Sequence, residues 1–149
     1  MSEVPDSIER TITIDRDAAT VYALIATPGW WINEGSITAN QATTVDGISM
    51  VTHDKYGTFR IRTIERRPPH YLAYRWQAGH THTEENAEND GTLIEFFIEP
   101  VGSGVQLKVR ESGFRAIPGS ADFRRRNYNE NAEGWHSELK AARRHLEGN

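Results

Sequence analysis

The sequence predicts an α+β chain, an antiparallel sheet of about six strands with helices packed on one face and a long helix at the end. Two observations carry that expectation. Six short segments alternate apolar and polar residues in the period of a half-buried strand, and turn residues punctuate them. The closing stretch instead places Tyr128, Ala132, Trp135, Leu139, Ala142 and Leu146 at alternating spacings of four and three, which is one face of a helix. No internal repeat, linker or low-complexity segment interrupts the 149 residues, so a single domain over 1–149 is expected.

The elements follow in order. Residues Ser7 to Ile14 put Ile8, Ile12 and Ile14 on one side and Glu9, Thr11 and Thr13 on the other, as a strand buried on one face does. Asp15 or Asp17 can cap the next segment, where Ala18, Val21, Tyr22, Leu24 and Ile25 form a helical stripe ending near Thr27-Pro28. A second short helical turn is expected to carry Trp30 and Trp31. Ile48 to Asp54 and Thr58 to Glu65 read as a hairpin turning at Lys55-Tyr56-Gly57. Pro68-Pro69 ends it because proline donates no ladder hydrogen bond.

The next strand, Tyr71 to Gln77, has Leu72, Tyr74 and Trp76 on one face and Tyr71, Ala73 and Arg75 on the other. Gly79 to Gly91 is polar and acidic, with Glu84, Glu85, Glu88 and Asp90, and reads as a long hairpin loop. Leu93 to Glu99 and Val105 to Glu111 form the last hairpin, turning through Pro100 to Gly104. Ile94, Phe96 and Ile98 share a face, as do Leu107, Val109 and Glu111. The final helix is expected from about Ala121 to Leu146, with basic residues near its end that suit the negative pole of the helix dipole.

Composition excludes several function classes. The formal charge of −4 argues against a phosphate-tracking surface, so no nucleic-acid partner is expected. The run Arg124-Arg125-Arg126 lies among Asp122, Glu130 and Glu133 and reads as a solvated helix face. With no cysteine, disulfides, thiolate metal sites and cysteine nucleophiles are ruled out. No apolar run approaches the ~20 residues that span a bilayer, and Met1 to Asp6 does not resemble a secretory leader. A cytoplasmic protein without membrane insertion, monomeric or homodimeric through an open sheet edge, is the expectation.

Several residues together carry a family resemblance. Val105 to Glu111 breaks at Ser112-Gly113-Phe114 and leads through Pro118-Gly119-Ser120 into the long helix with Gly134-Trp135 and Leu139. With Trp30-Trp31 and the run Pro68-Pro69-His70-Tyr71-Leu72-Ala73-Tyr74-Arg75-Trp76, this resembles the family of the C-terminal domain of the activator of the ninety-kilodalton heat-shock chaperone ATPase, within the START-like (SRPBCC) helix-grip superfamily. The resemblance implies a curved sheet gripping the last helix, with a cavity between them. It also implies three classes of function: a carrier or sensor of a hydrophobic or aromatic small molecule, a cyclase- or dehydratase-type enzyme, and a chaperone co-factor or stress-related interaction module. In the eponymous members a separate N-terminal domain makes much of the chaperone contact, and these 149 residues leave no room for one.

On that architecture the candidate ligand-binding residues are Trp30, Trp31, Tyr74, Trp76, Phe96, Ile98, Leu107, Val109, Phe114, Tyr128, Asn131 and Trp135. The competing expectation is that these aromatics simply fill a continuous core. Glu111 is the leading acid–base candidate, because its register turns a carboxylate inward where desolvation raises its pKa. The alternative is a strand-end residue paired with Arg115 or Arg124. His53 and Tyr74 are weaker candidates, as base and hydrogen-bond donor. His80-Thr81-His82 with Glu84 has the spacing of metal ligands on a strand, but it lies in the polar loop with nothing elsewhere to complete a set, so no metal site is expected. No phosphate-binding glycine loop or nucleophile elbow is present, and no cofactor is expected.

Overall fold

The computed structural model describes residues 4–77 and 91–148. His80, His82 and Glu84, which have metal-ligand spacing but from which no metal site is expected, and most of the acidic loop around them lie outside the described residues. Seven strands, β1 (Ser7–Ile14), β2 (Gln41–Val45), β3 (Ile48–His53), β4 (Gly57–Arg67), β5 (Tyr71–Trp76), β6 (Thr92–Val101) and β7 (Gly104–Ser112), form one antiparallel sheet. Their order across the sheet is β1-β7-β6-β5-β4-β3-β2, so the chain starts at one edge, crosses to the other, and returns strand by strand. Helix α1 (Ala18–Ile25) makes the crossing and α2 (Ala121–Glu147) closes the chain.

The strand predictions hold because each inner face is apolar. Ile8, Val51, Ile61, Leu72, Ile94, Phe96, Leu107 and Val109 are all buried. The strand that the sequence reading leaves unassigned is β2, whose five residues are all exposed. An edge strand without a buried face has no alternation to detect. It is held instead by a two-residue turn, Asp46-Gly47, with φ of 53° and 79°, the left-handed pair that matches the twist of a hairpin.

Helix α1 is capped by Asp17, whose carboxylate accepts from Thr20 N. The expected second helix is a pair of hydrogen-bonded turns, Trp30 N to Thr27 O and Ile32 N to Gly29 O. Gly29 sits at φ +79°, and a Cβ there would come within 2.8 Å of Val51 Cγ1. This left-handed turn against the sheet stops helical continuation and drives both indoles into the core.

Helix α2 begins on the Ser120 cap and ends at Gly148 in the left-handed conformation. It lies along β1 and also meets α1. Trp135, Leu139, Ala142 and Leu146 of its predicted stripe are buried, with Tyr128 and Ala132 packed against the core. No helix among the described residues is long and apolar enough to cross a membrane.

Candidate functional site

Glu111 is the centre of a polar cluster under α2. It follows Leu107 and Val109 on the inner face of β7, and none of its surface reaches solvent. Four side chains from three elements converge on it. Oε1 accepts from Asn131 Nδ2 at 3.0 Å and Trp135 Nε1 at 2.8 Å, both on α2 and four residues apart on one helix face. Oε2 accepts from Trp76 Nε1 on β5 at 2.9 Å and from the hydroxyl of Thr92 on β6. Burial pushes the Glu111 carboxyl above the usual carboxylate range, while these four hydrogen bonds pull against it.

Two of the four partners are indoles, which can only donate, and Asn131 presents its amide nitrogen. A proton on Glu111 therefore fits best on Oε2, with Thr92 turned to accept. The predicted inward register of Glu111 is observed. The alternative pairing with arginine is not: Arg115 Nε donates to Val4 O, and Arg124 Nη1 to Gly119 O at 2.7 Å.

Above this cluster Trp30, Trp31, Tyr74, Trp76, Phe96 and Trp135 pack together, with neighbouring ring centroids 5.4 to 6.3 Å apart. The aromatic mass fills most of the space between sheet and helix. Among the described residues a pocket of about 120 Å3 opens beside the rings, walled by the indoles of Trp31, Trp76 and Trp135 and by Glu130, Asn131, Gly134 and Glu138 of α2. At ~30 Å3 per water this is room for about four waters, well below the ~300 Å3 at which drug-sized sites begin.

The predicted ligand-binding residues divide accordingly. Trp31, Trp76, Asn131 and Trp135 line the pocket. Phe96, Ile98, Leu107, Val109 and Phe114 are at most 1% exposed and form the packed core. Tyr128 stacks edge-on to Phe114 and donates to Ser7 O. Trp30 faces a separate cleft of about 290 Å3 beside Leu24, Asn40 and His145.

The two weaker acid–base candidates have structural partners. Tyr74 is fully buried, and its hydroxyl donates to Ile25 O at 2.6 Å, tying β5 to the end of α1. Burial raises its pKa above the ordinary phenol value. His53 Nδ1 accepts from Lys55 N and Tyr56 N, and its ring stacks on Tyr56 at 4.7 Å, so it closes the β3–β4 turn.

Three residues missed by sequence reasoning belong to the site. Thr92 shares the inner face of β6 with Ile94, a register the alternation already implied. Glu130 stands exposed at the pocket rim. Glu138 is half-buried, and burial lifts its carboxyl to about 7, opposed by a hydrogen bond from Asn33 and by Arg144. Asn131, Gly134, Trp135 and Glu138 recur at three- and four-residue spacings, a helix face that shares Trp135 with the apolar stripe. That spacing was the available signal. Asn33 Nδ2 donates to Glu138 Oε1 at 2.6 Å and also to Trp30 O, which pins the tryptophan turn to α2. Among the described residues no group of three or more metal-ligating side chains gathers.

No family model matches the sequence, and no curated protein matches it. Solved structures do match. Protein MLL2253 from Mesorhizobium loti is similar with a TM-score of 0.69 at 18% identity, over 95% of this chain and 96% of that one. The Aha1 dimer from Colwellia psychrerythraea gives 0.64 at 16% identity, over 94% and 95%. DynU16, a protein of the dynemicin biosynthetic locus, gives 0.67 at 14% identity, with 97% of this chain covering 48% of that one. With a seven-stranded antiparallel sheet closed by one long C-terminal helix and these structural likenesses, the chain has a helix-grip fold.

Proposed function

We propose that this protein is a small-molecule binder that admits one compact group of its ligand between Trp31, Trp76 and Trp135. The observation that carries this reading is the pocket itself: three indole walls and a glycine wall, with a buried carboxylate fastening two of the indoles from behind. Mostly apolar walls with a few fixed polar groups are what a binding site requires. The Glu111 hydrogen bonds hold Trp76 and Trp135 in place before any ligand arrives, which lowers the ordering cost of binding.

The small volume argues for a ligand headgroup at the pocket and the rest of the molecule outside. A large hydrophobic ligand lying lengthwise between sheet and helix finds that space taken by Phe96, Leu107 and Val109. Acid–base catalysis by Glu111 has less support, because its side chain is fully buried and each carboxylate oxygen already accepts from two protein donors.

A fragment library screened against the indole N–H resonances tests the reading. Binders are expected to move the signals of Trp31, Trp76 and Trp135, and Gly134→Leu, which projects a side chain into the pocket, should abolish those shifts. A library that moves none of the three signals would remove the proposal.

A further inference from the structure

We infer that the group this pocket takes is a small alkylated ammonium cation. The inference rests on the binding-site reading above and adds the chemical class of the ligand.

Among the described residues every charged side chain on the pocket wall is acidic. Glu130 stands at the rim, Glu138 forms one side, and the Glu111 carboxylate lies directly behind two of the indoles. Arg144, six residues beyond Glu138 on α2, acts on Glu138 electrostatically but does not line the pocket. The other walls are indole, the aromatic surface that attracts cations most strongly. Trp76 and Trp135 both donate their N–H to Glu111, and hydrogen bonding to a carboxylate polarises an indole so that its ring face becomes more electron-rich. Glu111 thus acts on the pocket through the rings it holds.

The pattern of acceptors selects among cations. Asn33 takes Glu138 Oε1, while Oε2 has no hydrogen-bond partner among the described residues. Asn131 gives its nitrogen to Glu111 and leaves its carbonyl oxygen without one. Besides the Glu130 carboxylate at the rim, the wall side chains offer these two acceptors, and a primary ammonium must replace several lost water contacts. An ammonium carrying methyl groups needs few acceptors and presents apolar surface to the rings. Its compact head suits a pocket of about 120 Å3, where a fused aromatic ligand does not fit.

Calorimetric titration of the full chain at constant ionic strength tests this with three probes of similar shape: choline, dimethylbutanol in which a quaternary carbon replaces the nitrogen, and pivalate. Choline is expected to bind about tenfold or more tighter than the neutral isostere. Glu138→Gln should shrink that ratio by about threefold. Gly134→Leu should abolish choline binding, with the dispersion of its indole signals confirming a folded protein.

Equal or tighter binding of dimethylbutanol or pivalate, lost in Gly134→Leu, would overturn the cation and leave the pocket reading standing. Choline binding that survives Gly134→Leu would place it elsewhere and also overturn the inference. If choline leaves the wild-type indole signals unmoved, the cation assignment falls, and the pocket reading is decided separately by the library screen.

Discussion

Replacing Glu111 by glutamine separates a structural carboxylate from a catalytic one, and the hydrogen bonds set the size of the effect. Wild-type Glu111 accepts from two indole N–H groups, one amide and one hydroxyl. Glutamine has one oxygen and one NH2. If its NH2 takes the Oε2 position, it can donate to Thr92 but faces the Trp76 N–H. If it takes the Oε1 position, Asn131 can rotate to accept, yet Trp135 N–H is left facing a donor. Either orientation strands one buried indole N–H, at a cost of about 1–3 kcal/mol. The remaining bonds lose their charge assistance, and relief of carboxylate desolvation offsets part of that loss.

We expect a net destabilisation of about 2 kcal/mol at neutral pH. With a slope of about 2 kcal/mol per molar, the urea midpoint should fall by about 1 M. Equilibrium unfolding followed by tryptophan fluorescence measures it, with circular dichroism as the second probe of two-state behaviour. A midpoint within about 0.2 M of wild type, a change of ~0.4 kcal/mol, would refute the reasoning that the four donors require a carboxylate. Full stability combined with lost turnover of an identified substrate would restore Glu111 as a catalytic base.

Three further outcomes are expected. Tyr74→Phe removes the hydroxyl that satisfies Ile25 O, so it should cost about 1 kcal/mol in urea unfolding and leave ligand-induced indole shifts unchanged. Gly134→Ala should stabilise by about 0.5–1 kcal/mol, because Gly134 is inside α2 and an added Cβ meets nothing within 4 Å; a loss of stability would mean the pocket wall is closed there. Glu138 retains its proton to about 7 when folded but releases it near 4.5 when unfolded, so the folded state binds more protons in that window. Its contribution to stability is fully present below about 4.5 and is lost as pH rises to about 7, by on the order of 1–3 kcal/mol after allowance for its partial exposure. The difference between wild-type and Glu138→Gln unfolding curves against pH isolates it, and a flat difference would contradict the shift.

Local pattern carried most of the fold. The bounds of β1 and α1, the inward faces of β5, β6 and β7, and the run of α2 from Ala121 all follow from period and punctuation, because burial on one face imposes the alternation. Strand β2 escaped because all five of its residues are exposed, although Asp46-Gly47 marked its hairpin. Trp30 and Trp31 were expected on a short helical turn, but their direction into the core was not legible, since the constraint on them is the approach of Gly29 to Val51 from a different strand.

The sequence by itself determined which strand and helix residues face inward, Glu111, Trp76 and Trp135 among them, because side-chain direction along a strand or helix depends only on local geometry. Tertiary structure decided what those residues meet. Trp76, Thr92, Asn131 and Trp135 are separated along the chain and converge on Glu111 only when β5, β6 and α2 close over it. The size of the pocket was settled the same way, since it is the small difference between the space the sheet encloses and the volume that tightly packed aromatic rings occupy.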